Sequence, residues 1–229
     1  MRRTGLMVLT LLCLMALLIL RPGVGLLALG LRPHPLSGKV VAVDPGHGGF
    51  DAGAYHQESG IKEKDLTLDI ALRLKEHLIR VGAVPLLTRE IDEMKGDNYQ
   101  QDLVLRARLV NESEATVLVS IHVNEFPDPG CWGGQTFFVP QCPESKRLAH
   151  LVQEELIRLQ PGNERLPAAM SYFMLTAVSV PAVLVETGFI TSPADRERLL
   201  QENYREQLAL GFFKALSRYA LGYVPGDLR

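Results

Sequence analysis

Three short apolar runs in this chain each end on a group that can bind a metal or move a proton. They are Lys39-Val-Val-Ala-Val-Asp-Pro-Gly-His47, Val117-Leu-Val-Ser-Ile-His122-Val-Asn124 and Ala182-Val-Leu-Val-Glu186-Thr-Gly-Phe189. β-Branched runs this short, without polar alternation, fit strands buried on both faces, as in a parallel sheet. Such a sheet needs crossovers, and the intervening segments supply helical spacing. Leu66, Ile70, Leu74 and Leu78 recur every four residues through Asp65–Val81, and Gly82 stands where a helix stop belongs. Helices are also predicted over Asp102–Ser113, over Glu144–Leu159, and over the stretch where Tyr204, Leu208, Phe212, Leu216 and Tyr219 share one face. Ser192-Pro193 reads as a cap followed by a first-turn proline. Strands are predicted at Val40–Val43, Val84–Thr88, Val117–Val123, Gln135–Val139 and Val183–Glu186, while Arg89–Gln100 reads as a loop and Pro161–Met174 gives no pattern. Strands interleaved with helices predict an α/β fold in one domain, without repeats.

The N-terminus differs in kind from the rest. Arg2 and Arg3 precede an apolar run from Gly5 to Leu20, closed by Arg21-Pro22-Gly23. That is the layout of a signal peptide or signal anchor over residues 1–25. The run falls slightly short of the roughly 20 residues that cross a bilayer comfortably. Its flanking arginines orient it so that the body of the protein is exported, with membrane contact at the N-terminus. Residues 26–37 read as a tether and 38–222 as the folded domain. Residues 1–37 hold arginines and no acids, so all 26 acidic residues of the chain lie beyond them, and the domain is acidic. No basic patch interleaved with aromatics appears, which argues against nucleic acid as a partner. Cys131 and Cys142 flank a predicted strand that would hold them roughly 20 Å apart. A disulfide tolerates Cα separations of only about 4.4–6.8 Å, so two free thiols are expected.

The chemistry gathers at the strand ends, where open parallel sheets place their sites. The glycines of Asp44-Pro-Gly-His47-Gly-Gly let the backbone turn sharply beside a ligand. A phosphate cradle is the competing reading and comes last, because the loop lacks the lysine, the hydroxyl residue and the glycine spacing of a P-loop. A lone loop histidine is ordinarily solvated, but His122 ends a buried strand, where an imidazole is costly unless satisfied, and metal ligation is one way to satisfy it. Glu63 opens a predicted helix, where an acid also suits the helix dipole. His47, Glu63 and His122 together would make the two-imidazole, one-carboxylate set of a catalytic zinc site with a fourth position for water. Glu186 would then act as general base, unless it merely pairs with Arg89 or Arg106.

Six motifs in order carry a resemblance: Val43-Asp-Pro-Gly-His47-Gly-Gly, Glu63-Lys-Asp-Leu-Thr-Leu, Leu87-Thr-Arg89-Glu-Ile-Asp92, Leu105-Arg106-Ala-Arg-Leu-Val-Asn111, Ser120-Ile-His122-Val-Asn124 and Pro181-Ala-Val-Leu-Val-Glu186-Thr-Gly-Phe189. Over Ser37–Leu221 the chain resembles the zinc-dependent N-acetylmuramoyl-L-alanine amidases of bacterial cell walls. The resemblance implies one Zn2+ per chain held by His47, Glu63 and His122, with Glu186 catalytic. It implies a single α/β domain with a twisted, mostly parallel sheet of about six strands and helices on both faces. It also implies cleavage of the amide between N-acetylmuramic acid and L-alanine in peptidoglycan. Pro35-Leu-Ser-Gly-Lys39, the short N-terminal anchor, the absence of wall-binding repeats and Met170–Leu175 look like the sporulation subgroup, which acts on spore cortex in sequence with a peptidoglycan deacetylase. Thr191-Ser192 and the loop from Glu125 to Trp132 depart from the family pattern.

Lesser roles are expected for four residues. Asn124 would orient substrate or the His122 loop, and Asp44 would accept a proton from a ligating imidazole. Arg89 and Arg106 would buttress the rim or bind a substrate carboxylate, with surface ion pairing equally open. His77 and His150, on amphipathic helices, are expected to be solvated. The alternatives to the amidase are a zinc carboxypeptidase or aminopeptidase acting on wall peptides and a non-catalytic wall-binding protein.

Overall fold

The computed structural model describes residues 32–225. The segment 1–25 and the first half of the tether, residues 26–31, therefore lie outside the described residues. In chain order the strands are β1 (Val40–Pro45), β2 (Tyr55–His56), β3 (Ile61–Lys62), β4 (Val84–Leu87), β5 (Ala115–Asn124), β6 (Gln135–Phe138), β7 (Ala168–Ala169) and β8 (Ala182–Phe189). The helices are α1 (Glu63–Arg80), α2 (Tyr99–Asn111), α3 (Pro143–Leu159), α4 (Phe173–Ala177), α5 (Pro193–Leu200) and α6 (Glu202–Ala220). Six strands form one sheet in the order β4-β1-β5-β8-β6-β7, and β2 with β3 forms a separate hairpin. Every neighbouring pair in the large sheet is parallel except β6 with β8.

Side-chain alternation divides the sheet between two cores. Val41, Val43, Val117, Val119, Ile121, Val183 and Val185 face one way and pack with the apolar stripes of α1, α3 and α6, including Leu74, Leu151 and Phe212. Ala42, Leu118, Leu184 and Phe137 face the other way and pack with Ala107 and Val110 of α2 and with Met174 and Leu175 of α4. Helices on both faces are what the two-sided apolar strands require. By the same alternation Asp44, Ser120, His122, Gln135 and Glu186 fall on the α2/α4 face.

Local chemistry moves some boundaries. α2 starts earlier than apolar spacing suggests, because the Asn98 side chain accepts from Gln101 N and caps the helix. Ser192 does cap α5, with Pro193 in the first turn. The patternless Pro161–Met174 stretch contains β7, which hydrogen-bonds parallel to β6 at the sheet edge, and the start of α4. His77 is not solvated: it bonds Glu206 at 2.9 Å and stacks on Phe213 at 5.6 Å, because α1 and α6 pack together there. Cys131 and Cys142 are free thiols.

Candidate metal centre and its base

The loop after β1 folds tightly enough to put His47 at φ +63°, a left-handed conformation that a β-carbon-bearing residue rarely adopts. Such strain persists only when neighbours over-determine it. Here two buried guanidiniums do so. Arg106 donates to the carbonyls of Pro45 at 2.7 Å and His47 at 2.6 Å. Arg89 donates to the carbonyls of Pro45 at 3.0 Å, Gly46 at 3.0 Å and Lys64 at 2.8 Å. The loop's glycines are sterically required. A β-carbon on Gly46 would meet the His122 ring at 2.3 Å, and one on Gly53 would meet Glu63 Oε2 at 2.4 Å.

Glu63 is the first residue of α1 and is buried. Its carboxylate is fixed by two backbone donors, Ala54 N and Val123 N, each at 2.8 Å. The first comes from the chain entering the β2–β3 hairpin, which ties that segment to the helix start. Glu63 Oε2 then lies 3.1 Å from His47 Nε2, and Oε1 lies 2.9 Å from His122 Nδ1. The imidazoles stand edge to face with centroids 5.0 Å apart. One donor atom from each of the three side chains falls within 4.8 Å of the others. Donors on a tetrahedral zinc with bonds near 2.0–2.1 Å are about 3.3 Å apart, so this set fits such an ion with small side-chain adjustments. Asp51 Oδ2, 2.7 Å from His47 Nδ1, leaves Nε2 turned toward the cluster.

Electrostatics follow the geometry. Burial raises the Glu63 carboxyl, but hydrogen bonds and charge from His122 and His47 outweigh it and hold the group well below the ordinary carboxylate range. Burial lowers the imidazoles, yet Glu63 wins at each; with Asp51 added, His47 is pushed up to about 9, and His122 is also raised. A pocket that stabilises positive charge this strongly suits a cation.

Glu186 sits opposite His122 in the β5–β8 register. It is buried, and its Oε2 has no hydrogen-bond partner among the described residues. Burial, reinforced by the Glu63 charge and opposed by the imidazoles, pushes it up to about 7. A buried carboxylate oxygen without a partner calls for an explanation, and a proton-transfer role supplies one. Two clefts meet at this group. A polar one of about 410 Å³ is lined by Asp51, Glu63, His122, Asn124 and Glu186. An apolar one of about 220 Å³ is lined by Tyr99, Leu103, Tyr172, Phe173 and Glu186. A larger cavity of about 520 Å³ lies beside α2 around Met94, Leu105 and Leu109, and His47, Glu63, His122 and Glu186 are not among its lining residues.

The structure brings His47, Glu63, His122 and Glu186 together and revises the supporting residues. Asp44 touches no imidazole; it accepts from Ser120 at 2.7 Å and from Arg106 at 3.1 Å. The carboxylate on a clustered imidazole is Asp51, which has no place in any helical or strand period. Its sequence signal is its position four residues after His47, inside a glycine-rich turn. Arg89 and Arg106 are fully buried and spend their donors on loop carbonyls, with Arg106 also on Asp44 and Asp102, so they buttress the rim, the first of the roles expected for them, and form no surface pair. Asn124 lines the polar cleft, and its Oδ1 accepts from Glu125 N at 2.8 Å. Tyr99 lines both clefts, a placement that sequence spacing does not show.

Residues 41–218 match the family model described as N-acetylmuramoyl-L-alanine amidase. The chain is 34% identical over 194 residues to the germination-specific N-acetylmuramoyl-L-alanine amidase of Bacillus subtilis, covering 81% of each protein. It is similar in structure to the CwlD amidase from Clostridioides difficile in complex with the GerS lipoprotein, with TM-score 0.78 and 31% identity, covering 81% of this chain and 100% of that one. The N-acetylmuramoyl-L-alanine amidase from Clostridium difficile 630 gives TM-score 0.74 at 33% identity, covering 80% of this chain and 97% of that one.

Proposed function

The chain belongs to the N-acetylmuramoyl-L-alanine amidase family, and we propose that it hydrolyses the amide between N-acetylmuramic acid and L-alanine in peptidoglycan, with one zinc ion held by His47, Glu63 and His122. One observation carries the reading: an unpartnered buried carboxylate, Glu186, lies in register with one imidazole of a charge-stabilised ligand cluster. His47, Glu63 and His122 would hold the metal, which when bound would supply Lewis-acid charge for the amide carbonyl and lower the pKa of a water beside it. Glu186 takes the proton of that water and delivers it to the departing nitrogen. Its elevated proton affinity suits both halves of the transfer near neutral pH. Asp51 and the backbone donors to Glu63 hold the ligands in place, so little reorganisation accompanies the reaction.

We infer the setting from the likeness to a germination-specific amidase and from the apolar N-terminal run, which both support it. The enzyme acts outside the cytoplasmic membrane, delivered by residues 1–25 as signal or anchor, and in spore cortex. There it leaves peptide-free muramic acid for a peptidoglycan deacetylase acting next. Among the described residues no helix is long and apolar enough to cross a membrane.

Digestion of purified peptidoglycan with and without a chelator tests the reading. Free peptides beginning with L-alanine should appear only with metal present. Glu186→Ala should abolish their release, by about 10³-fold or more, while keeping the metal. Shortened stems still attached to muramic acid would instead identify a peptidase, and retained turnover in Glu186→Ala would remove Glu186 as the base.

A further inference from the structure

The geometry points to Arg165 as the residue that receives a carboxylate of the stem peptide, on the acidic residue that follows the alanine. The inference rests on the amidase reading and assigns its substrate-side cation. Four observations converge on it.

The first is position. The strand register sets His122 opposite Glu186 and Glu186 opposite Gln135, all on one face of the sheet. Gln135 Nε2 donates to Leu166 O at 2.9 Å, and Gln135 Oε1 accepts from Arg165 Nη1 at 3.4 Å. A single row thus runs from ligand to base to Gln135 to Arg165. Neighbouring strands are about 4.8 Å apart, so Gln135 is one spacing from the base and Arg165 is its next hydrogen-bonded neighbour along the row.

The second is rigidity. Arg165 Nε donates to Trp132 O at 3.0 Å, and its guanidinium lies 4.9 Å from the centroid of the Phe189 ring. Its backbone is tied down as well, since Arg165 N donates to Asn163 Oδ1 at 3.0 Å.

The third is charge. Arg165 is half-buried, yet among the described residues it pairs with no carboxylate. Arg106, by contrast, has Asp44 and Asp102. A partly desolvated guanidinium without a counter-ion is costly unless a ligand supplies one, and its planar fork matches a carboxylate.

The fourth is direction. Glu186 hands its proton to the leaving nitrogen, so the peptide departs on the Glu186 side of the amide, toward Arg165. An extended chain advances about 3.3–3.6 Å per residue, which carries the carboxylate of the residue after alanine along that row toward Arg165.

Synthetic muramoyl peptides whose second residue carries that carboxylate free or amidated provide the test, assayed with the intact chain, Arg165→Lys and Arg165→Gln. The wild type should favour the free acid in kcat/KM by about 10- to 100-fold, chiefly through KM. Arg165→Gln should lose only that preference, keeping its rate on the amidated peptide, and Arg165→Lys should keep part of it. A wild type indifferent to amidation overturns the inference, and so does Arg165→Gln losing both substrates equally with an unchanged thermal midpoint. Should Arg165→Gln fail to fold, a Lys variant that retains the full preference overturns it, and one that retains part supports it. Cleavage of neither peptide by the wild type overturns the amidase reading itself, which separates the two failures.

Discussion

Asp51 shows how much of a site depends on one carboxylate that contributes no ligand atom. An imidazole offers two nitrogens, and a hydrogen bond on one decides which way the other faces. Asp51 takes Nδ1 of His47 at 2.7 Å and so commits Nε2 to the cluster. Removal of such an outer carboxylate ordinarily weakens metal binding about 10- to 100-fold. Asp51→Ala should therefore release its metal to a competing chelator at correspondingly lower chelator concentration, with Asp51→Asn intermediate because an amide oxygen can still accept. Unchanged competition curves for both variants would show that the backbone alone fixes the ring. The four principal residues were legible in the sequence because three of them end or follow apolar strands and the fourth opens a helix. Asp51 and Arg165 were not, because each acts from a loop whose path is set by contacts far away along the chain.

At the scale of elements, the positioning of His47 is shared among β1, β4 and α2. Asp44 at the end of β1 accepts from Thr88 just past β4, from Ser120 on β5 and from Arg106 on α2. Arg106 in turn grips the strained loop through two carbonyls and is steadied by Asp102 at 2.7 Å. Burial opposes the Asp44 charge, but Arg106, Thr88 and Ser120 outweigh it and hold the carboxyl below its ordinary value of 3.8. The sign of the pH dependence follows. A carboxylate with a depressed folded pKa contributes its stability in full above the unfolded value and loses it as pH falls through the folded one. Asp44→Asn should cost about 3 kcal/mol at pH 7, the low end for a broken buried pair because Asp102 still holds Arg106. Urea midpoints for the two proteins should converge as pH drops below about 3.8. A gap that stays constant with pH would assign the loss to packing. This network also explains a limit of sequence reading. Arg89 and Arg106 are ordinary charges on a loop and a helix until the crossovers bury both beneath the β1 loop. Likewise β7 and the β2–β3 hairpin are too short to carry a period, and only their partners define them.

For the molecule as a whole, the α/β architecture follows from alternation already visible in the chain, since strands apolar on both faces leave helices only two sides to occupy. The consequence is a centre assembled from the ends of β1, β5 and β8 and the start of α1, segments that an unfolded chain holds far apart. Such a ligand set has high affinity only in the folded state, so metal binding is folding free energy. At free metal near 1,000 times Kd the native state gains about 4 kcal/mol. For a domain of this size each kcal/mol moves the thermal midpoint by about 2–4 °C. Metal-loaded protein should then melt about 8–16 °C above the chelated form. Glu63→Gln should melt at one temperature with or without chelator, because the anionic ligand bridging both imidazoles is gone. Asp44→Asn should melt lower in both conditions yet keep the full chelator-dependent difference, since it weakens the frame and leaves the ligands intact. If the wild type showed no such difference, the cluster would be a set of buried ion pairs serving the fold, and metal would have to be dropped from the account of activity.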